Sequence, residues 1–144
     1  MASLVYNNFK HRLLEAYLST SDDIRVTILM TNTTADTEVD AINFVNDFTT
    51  LDEYDGSGYV RKTLSSEATN VDDTNDRGEF DFEDTTWSSL GAGTRDGQGL
   101  LVLLHVTNDT DSIPLFFIDF TSNFTGNGGD VTFQVNSEGA LHCT

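Results

Sequence analysis

Val71-Asp72-Asp73-Thr74-Asn75-Asp76-Arg77-Gly78-Glu79-Phe80-Asp81-Phe82-Glu83-Asp84-Thr85-Thr86-Trp87 joins an acidic turn to the clearest strand pattern in the chain. A period of two places Phe80 and Phe82 on one face and Glu79, Asp81 and Glu83 on the other, so one face packs and the other stays wet. Asp72 to Gly78 is built from short polar residues that bond their own backbone, closed by a glycine that permits positive φ. The stretch therefore predicts a hairpin corner over Asp72–Gly78, entered by a strand around Ala68–Val71 and left by an arm that buries the two phenylalanines. A calcium loop is the rival. Counted from Asp73, position 3 is Asn75 and position 6 is Gly78, but Arg77 falls at position 5 and Asp84 stands where a bidentate Glu belongs. A cation in the coordinating ring argues for the hairpin.

Outward from this corner the same alternation recurs. Ile24, Val26, Ile28 and Met30 mark a strand, as do Tyr59–Leu64 after the turn Asp55-Gly56-Ser57-Gly58, and Val131, Phe133 and Val135 near the end. Leu100–Val106 and Ile113–Phe120 are continuous apolar runs, the pattern of strands covered on both faces. Pro114, the one proline, stands near the start of the second, where a missing N–H is tolerated. Residues 31–52 predict a long loop carrying a short helical turn at Val39, Ile42 and Val45. Gly91–Gly99 reads as a flexible arm or surface loop, and Gly139-Ala140-Leu141 begins the tail. At the N-terminus, Ser3 caps an expected helix to about Leu18, with Val5, Phe9, Leu13, Ala16 and Tyr17 on one stripe.

About seven short strands, frequent turns and one leading helix describe a mainly β fold. The expected form is a single antiparallel sandwich or barrel-like domain, jelly-roll-like as one variant, over residues 1–144. Residues 1–20 form a helical arm and 21–144 a β-rich body.

Seven basic and 24 acidic residues leave a net charge of −17, with aspartate far ahead of glutamate. Such a field repels phosphate backbones and anionic headgroups, so neither nucleic acid nor a membrane surface is an expected partner. The charge also suits solubility at high ionic strength. Cys143 is alone, which excludes an internal disulfide. No apolar run is long enough for a membrane span and no basic-then-apolar leader is present, so a soluble, non-secreted protein is expected. The sequons at Asn32, Asn108 and Asn123 then read as threonine-rich loop composition rather than glycan sites.

Chemical motifs are sparse, and no catalytic, cofactor-binding or metal residue is assigned. Glu79, Asp81 and Glu83 have roughly the spacing of a glycosidase carboxylate pair, but a solvated strand face lacks the burial that would raise one pKa. The 91–99 loop has no Gly-Lys-Ser/Thr ending for phosphate. His11, His105 and His142 lack metal spacing, and His105, within an apolar run, reads as a core or interface histidine. Cys143 at a chain end is a poor nucleophile. A β domain with polar loops and no such motifs points to binding or assembly rather than catalysis.

The blocks IRVTILMT (24–31), YDGSGYVRKTL (54–64), DDTNDRGEFDFEDTTWSSLG (72–91), LLHVTNDTDSIPLFFID (103–119) and GGDVTFQVNSEGAL (128–141) carry a resemblance. In that order they resemble small virion proteins of tailed bacteriophages, of the capsid decoration (cement) type. The resemblance implies a β-rich, non-catalytic protein on the outer capsid surface, assembled in the host cytoplasm. It implies the major capsid protein as partner and a homo-oligomer, a trimer before a dimer, over junctions between capsid subunits. It carries no catalytic residues. The candidate oligomer or capsid contacts are Val5, Phe9, Leu13 and Tyr17, with packing of the helix on the chain's own sheet as the equal alternative. The helix, the tail or both are expected to dock on a neighbour. A second reading is a tail or fibre-associated module that holds a host glycan on Trp87, Tyr54 and Tyr59.

Overall fold

The computed structural model describes residues 4–16, 18 and 22–144. The chain is mainly β, antiparallel in every pairing, with one short helix near its N-terminal end. In chain order the elements are α1 (Asn7–Glu15), β1 (Ile24–Met30), a 3₁₀ turn (Val45–Asp47), β2 (Lys62–Thr63), β3 (Ala68–Asp72) and β4 (Arg77–Asp81). They continue with β5 (Thr85–Leu90), β6 (Gly97–Leu104), β7 (Ile113–Phe124), β8 (Gly129–Phe133) and β9 (Leu141–Cys143). The chain packs as two compact units and crosses between them at 22/23, 63/64, 84/85 and 133/134. This partition differs from the expected arm over 1–20 on a body over 21–144. The helix shares a unit with residues 64–84 and 134–144.

That first unit is built on the opening stretch. β3 and β4 pair from Ala68↔Asp81 to Asp72↔Arg77, which leaves 73–76 as the corner. The corner closes through Asp72, whose carboxylate accepts the backbone N–H groups of Thr74 and Asn75 at 3.0 and 3.1 Å and the Asn75 amide at 2.6 Å. Positive φ falls on Asp76 (54°) rather than on Gly78. Gly78 serves a different end: a Cβ there would lie 2.7 Å from the His11 nitrogen and 2.8 Å from the Lys10 carbonyl carbon, so the helix backbone rests directly on this strand position. Phe80 and Phe82 are buried, with ring centroids 5.8 Å apart.

The first helix and the last strand are both held in this unit. β9 pairs with β4 in the register Gly78↔Cys143 to Phe80↔Leu141. Arg77 gathers Asp72 at 3.1 Å, Glu79 at 2.7 Å and Glu138 at 2.6 Å, tying the corner to the segment that leads into β9. Tail and helix therefore both pack on the chain's own β3–β4–β9 sheet.

The second unit holds a four-stranded sheet in the order β2-β1-β6-β7 and a two-stranded sheet of β5 and β8. Phe120 on β7 stacks at 6.2 Å on Phe133 of β8, so the two sheets face each other in the manner of a sandwich. β1 and β6 are buried nearly throughout, as their apolar runs predict. β6 begins at Gly97 and ends at Leu104, earlier than expected, and His105 lies just beyond it. Only Lys62 and Thr63 of the Tyr59–Leu64 segment pair with β1. The earlier residues turn away, because the Val60 carbonyl accepts the Trp87 indole N–H at 2.8 Å and the Tyr59 hydroxyl reaches Glu53 at 2.7 Å. Residues 85–90 form β5 and pair with β8, which stops at Phe133, short of Val135.

Two loop expectations change for identifiable reasons, while residues 31–52 form the expected long loop. The spacing of Val39, Ile42 and Val45 forms no α-helix; Val45 alone is buried and begins the 3₁₀ turn. Residues 31–52 are instead stitched by their threonines. The Glu38 carboxylate accepts Thr34 Oγ1 at 2.7 Å and the Thr49 N–H at 2.9 Å, and the Thr34 N–H donates to Thr50 O at 2.9 Å. Gly91–Gly99 is no loose arm. Its start wraps the buried Tyr54 hydroxyl, which donates to Gly91 O at 3.0 Å and accepts from the N–H groups of Gly93 and Gly126 at 3.0 and 3.1 Å. A Cβ on Gly56 or Gly126 would meet Gly91 O at 2.2 or 2.3 Å, so three backbones converge here because none carries a side chain.

A polar cluster fixes the rest of this unit. Arg61 pairs Glu53 at 2.6 Å and Asp109 at 2.5 Å, joining the segment after β1 to the turn before β7. The Tyr59 hydroxyl sits between Thr27 Oγ1 at 2.5 Å and Glu53. Burial, followed by the Glu53 carboxylate, pushes the Tyr59 phenol well above its ordinary range. Burial raises the Glu53 carboxyl, yet the hydrogen bonds from Arg61 and Tyr59 outweigh it and hold the group below its usual value.

Candidate interaction surface

The helix uses one side for its own unit. Lys10 and Leu14, one turn apart, are buried, and Leu18 beyond the helix end is buried as well. Lys10 occupies an inward position by laying its methylene stem along the hairpin while its ammonium donates to the Asp76 carbonyl and to Asn7 Oδ1. Asn7 Nδ2 adds a bond to Asp73 Oδ1 at 3.1 Å, and His11 Nε2 lies 3.2 Å from Thr69 O. The first turn of α1 is thus clasped to the acidic corner. No side-chain cap is present at the N-cap Tyr6; Ser3, the expected cap, lies outside the described residues.

The candidate contacts occupy a different face. Phe9 is 58% exposed and Leu13 49%, one turn apart on the helix, while Val5, in the extended lead-in, is 50% exposed. Leu4 and Tyr6 beside it are also exposed, two apolar neighbours that the helical stripe does not reach by spacing. Tyr17, the fourth candidate, lies outside the described residues. The structure therefore shows two stripes where the sequence reading has one: positions 10 and 14 face the hairpin, and positions 9 and 13 face outward. The signal for the inward stripe is present as Lys10-x-x-x-Leu14, hidden because its first member is charged. Arg12 pairs with Glu15 along the helix.

The other singled-out groups have structural work. Trp87 is 1% and Tyr54 2% exposed, and the half-buried Tyr59 spends its hydroxyl on Thr27 and Glu53, so these rings offer no platform for a sugar. Glu79 accepts from Arg77, Asp81 from the Phe82 N–H, and Glu83 from Ser65. An open cleft of about 470 Å³ passes Asp81, Glu83 and Asp84, with Asp84 accepting the Val135 N–H at 2.9 Å. Among the described residues no three His, Cys, Asp or Glu side chains are placed to hold a metal ion. His105 Nδ1 lies 3.2 Å from Ser112 Oγ, the geometry of an activated hydroxyl. Ser112 is fully buried, however, and donates to Asn108 O at 2.7 Å, which makes it a brace for the turn before β7. His142 bonds the Glu138 carbonyl, and Cys143 is a half-buried member of β9.

An apolar face of this kind can bind by desolvation. Completing the burial of Val5, Phe9 and Leu13 from about half exposed contributes roughly 1 kcal/mol each. That is enough for a weak contact in one copy and for a firm one when several copies act together. Comparison with family models, with curated proteins and with solved structures finds no match for this chain.

Proposed function

We propose that this protein is a virion structural protein of a tailed bacteriophage: a capsid decoration protein that binds the outer surface of the major capsid shell as a homo-oligomer, a trimer before a dimer, and stabilises the shell. The observation that carries the reading is the outward apolar face of Val5, Phe9 and Leu13 on a chain of net charge −17. Contiguous exposed apolar side chains mark contact surfaces. The helix that bears Phe9 and Leu13 is anchored from behind by Lys10 and Leu14, so it presents them at little ordering cost. The acidic field supports an outer location, because it opposes approach to packaged DNA.

The test is to mix purified protein with expanded, DNA-free heads of the encoding phage. Saturable binding with a raised disruption temperature supports the reading. Absence of binding to heads together with binding to tails removes it.

A further inference from the structure

β7 closes one end of its sheet: β6 pairs one side of it, and no described strand pairs the other. Its sequence, IPLFFIDFTSNF, is as apolar at its start as the central strands, yet every residue from Ile113 to Ile118 is only half-buried. Edge strands are ordinarily blunted by shortness, lysine, proline or bulges. The opposite edge follows this rule, since β2 has two residues. On β7 the one proline and the register shift beside it interrupt the start, a second shift falls between Asp119 and Phe124, and between the two the pairing runs in register from Phe116 to Asp119.

Adjoining this strand is an open groove of about 390 Å³, between the 31–52 segment and β7, which reaches Leu101 on β6. Val39, Ile42, Leu115 and Phe117 give it apolar walls, Val39 being 81% exposed. Two carboxylates, Asp36 and Glu38, complete the lining, with no lysine, arginine or histidine among the lining residues. Both are held in place: Asp36 accepts the Gln98 amide at 3.0 Å, and Glu38 accepts Thr49 and Thr34. The Thr49 and Thr34 hydrogen bonds keep Glu38 below its usual pKa, and hence ionised at neutral pH.

We propose that the β7 edge and this groove bind an extended segment of another protein in which apolar residues alternate with lysine or arginine. The backbone edge calls for a strand, the walls call for alternate apolar side chains, and Asp36 and Glu38 call for cations opposite them. A second copy of β7 fits poorly, because that strand contains no cation and brings a chain of net charge −17. The inference holds whether or not the protein decorates capsids.

The test is titration of the ¹⁵N-labelled full chain with a short synthetic peptide of alternating lysine and valine. The control is the same peptide with N-methylated valines, which keeps the charge and cannot pair with a strand. The expected result is amide shifts confined to β7 and residues 35–48, with the N-methylated peptide at least about tenfold weaker. Asp36→Lys, at an exposed position, should weaken the unmodified peptide by about two- to fivefold. Equal binding of the two peptides, shifts spread over the acidic surface, no binding, or dimerisation through β7 without peptide would each overturn the proposal.

Discussion

Gly78→Ala sets two effects of opposite sign against each other. Gly78 lies within β4 and outside the positive-φ positions, so alanine fits its backbone and should stabilise by about 0.4–1 kcal/mol through a less flexible unfolded chain. Packing opposes this. The added methyl would stand 2.7 Å from the His11 nitrogen and 2.8 Å from the Lys10 carbonyl carbon, where ordinary contacts are about 3.5–4.0 Å. Both are backbone atoms of the helix, so no side chain can swing aside; α1 must retreat by roughly 1 Å, loosening Leu14 and the bond from Lys10 to the Asp76 carbonyl. Overpacking of this kind costs about 1–3 kcal/mol, leaving a net loss of about 1–2 kcal/mol and a Tm lower by about 3–8 °C. Urea denaturation followed by circular dichroism measures it. A variant as stable as the parent, or more stable, would refute the seating of the helix on this strand.

Arg61→Met leaves Glu53 and Asp109 facing each other without a cation and should cost about 1–3 kcal/mol at neutral pH by urea denaturation, the lower figures reflecting their partial exposure. Both carboxyls titrate lower in the folded chain than unfolded, so their contribution is complete above about pH 4.5 and fades as pH falls through the folded values. The acid limb of stability against pH should therefore be shallower in Arg61→Met than in the parent, and an unchanged limb would contradict the cluster. Tyr54→Phe strands Gly91 O and the N–H groups of Gly93 and Gly126, and should cost about 2–3 kcal/mol, with faster amide exchange at Gly93 and Gly126.

The parts of the fold legible in the sequence are those where one local signal meets no competitor. The corner at Asp72–Gly78 is such a case: the aspartates and asparagine supply their own turn bonds, and the phenylalanines alternate behind them. β1 and β6 announce themselves as apolar runs. β7 misleads because its apolar run reads as a strand covered on both faces, whereas residues 113–118 are only half-buried. The glycines mislead because the same residue serves turns and close backbone approach, and Gly78, Gly56 and Gly126 do the second. In the helix, Lys10 hides the inward stripe, since pattern counting treats it as polar while its stem packs. The two-unit packing leaves no local mark at all, because each unit is assembled from segments far apart in the chain.

Cryo-EM of expanded heads saturated with the protein tests the central claim most directly. The account predicts density on the outer surface of the shell, with Phe9 and Leu13 buried against a capsid subunit or a neighbouring copy, and loss of that density for Phe9→Ser with Leu13→Ser, a variant expected to lose about 1–2 kcal/mol of its own stability and shown to be folded by circular dichroism before mixing. Bound protein with Phe9 and Leu13 facing solvent, or full occupancy by the double variant, would contradict it.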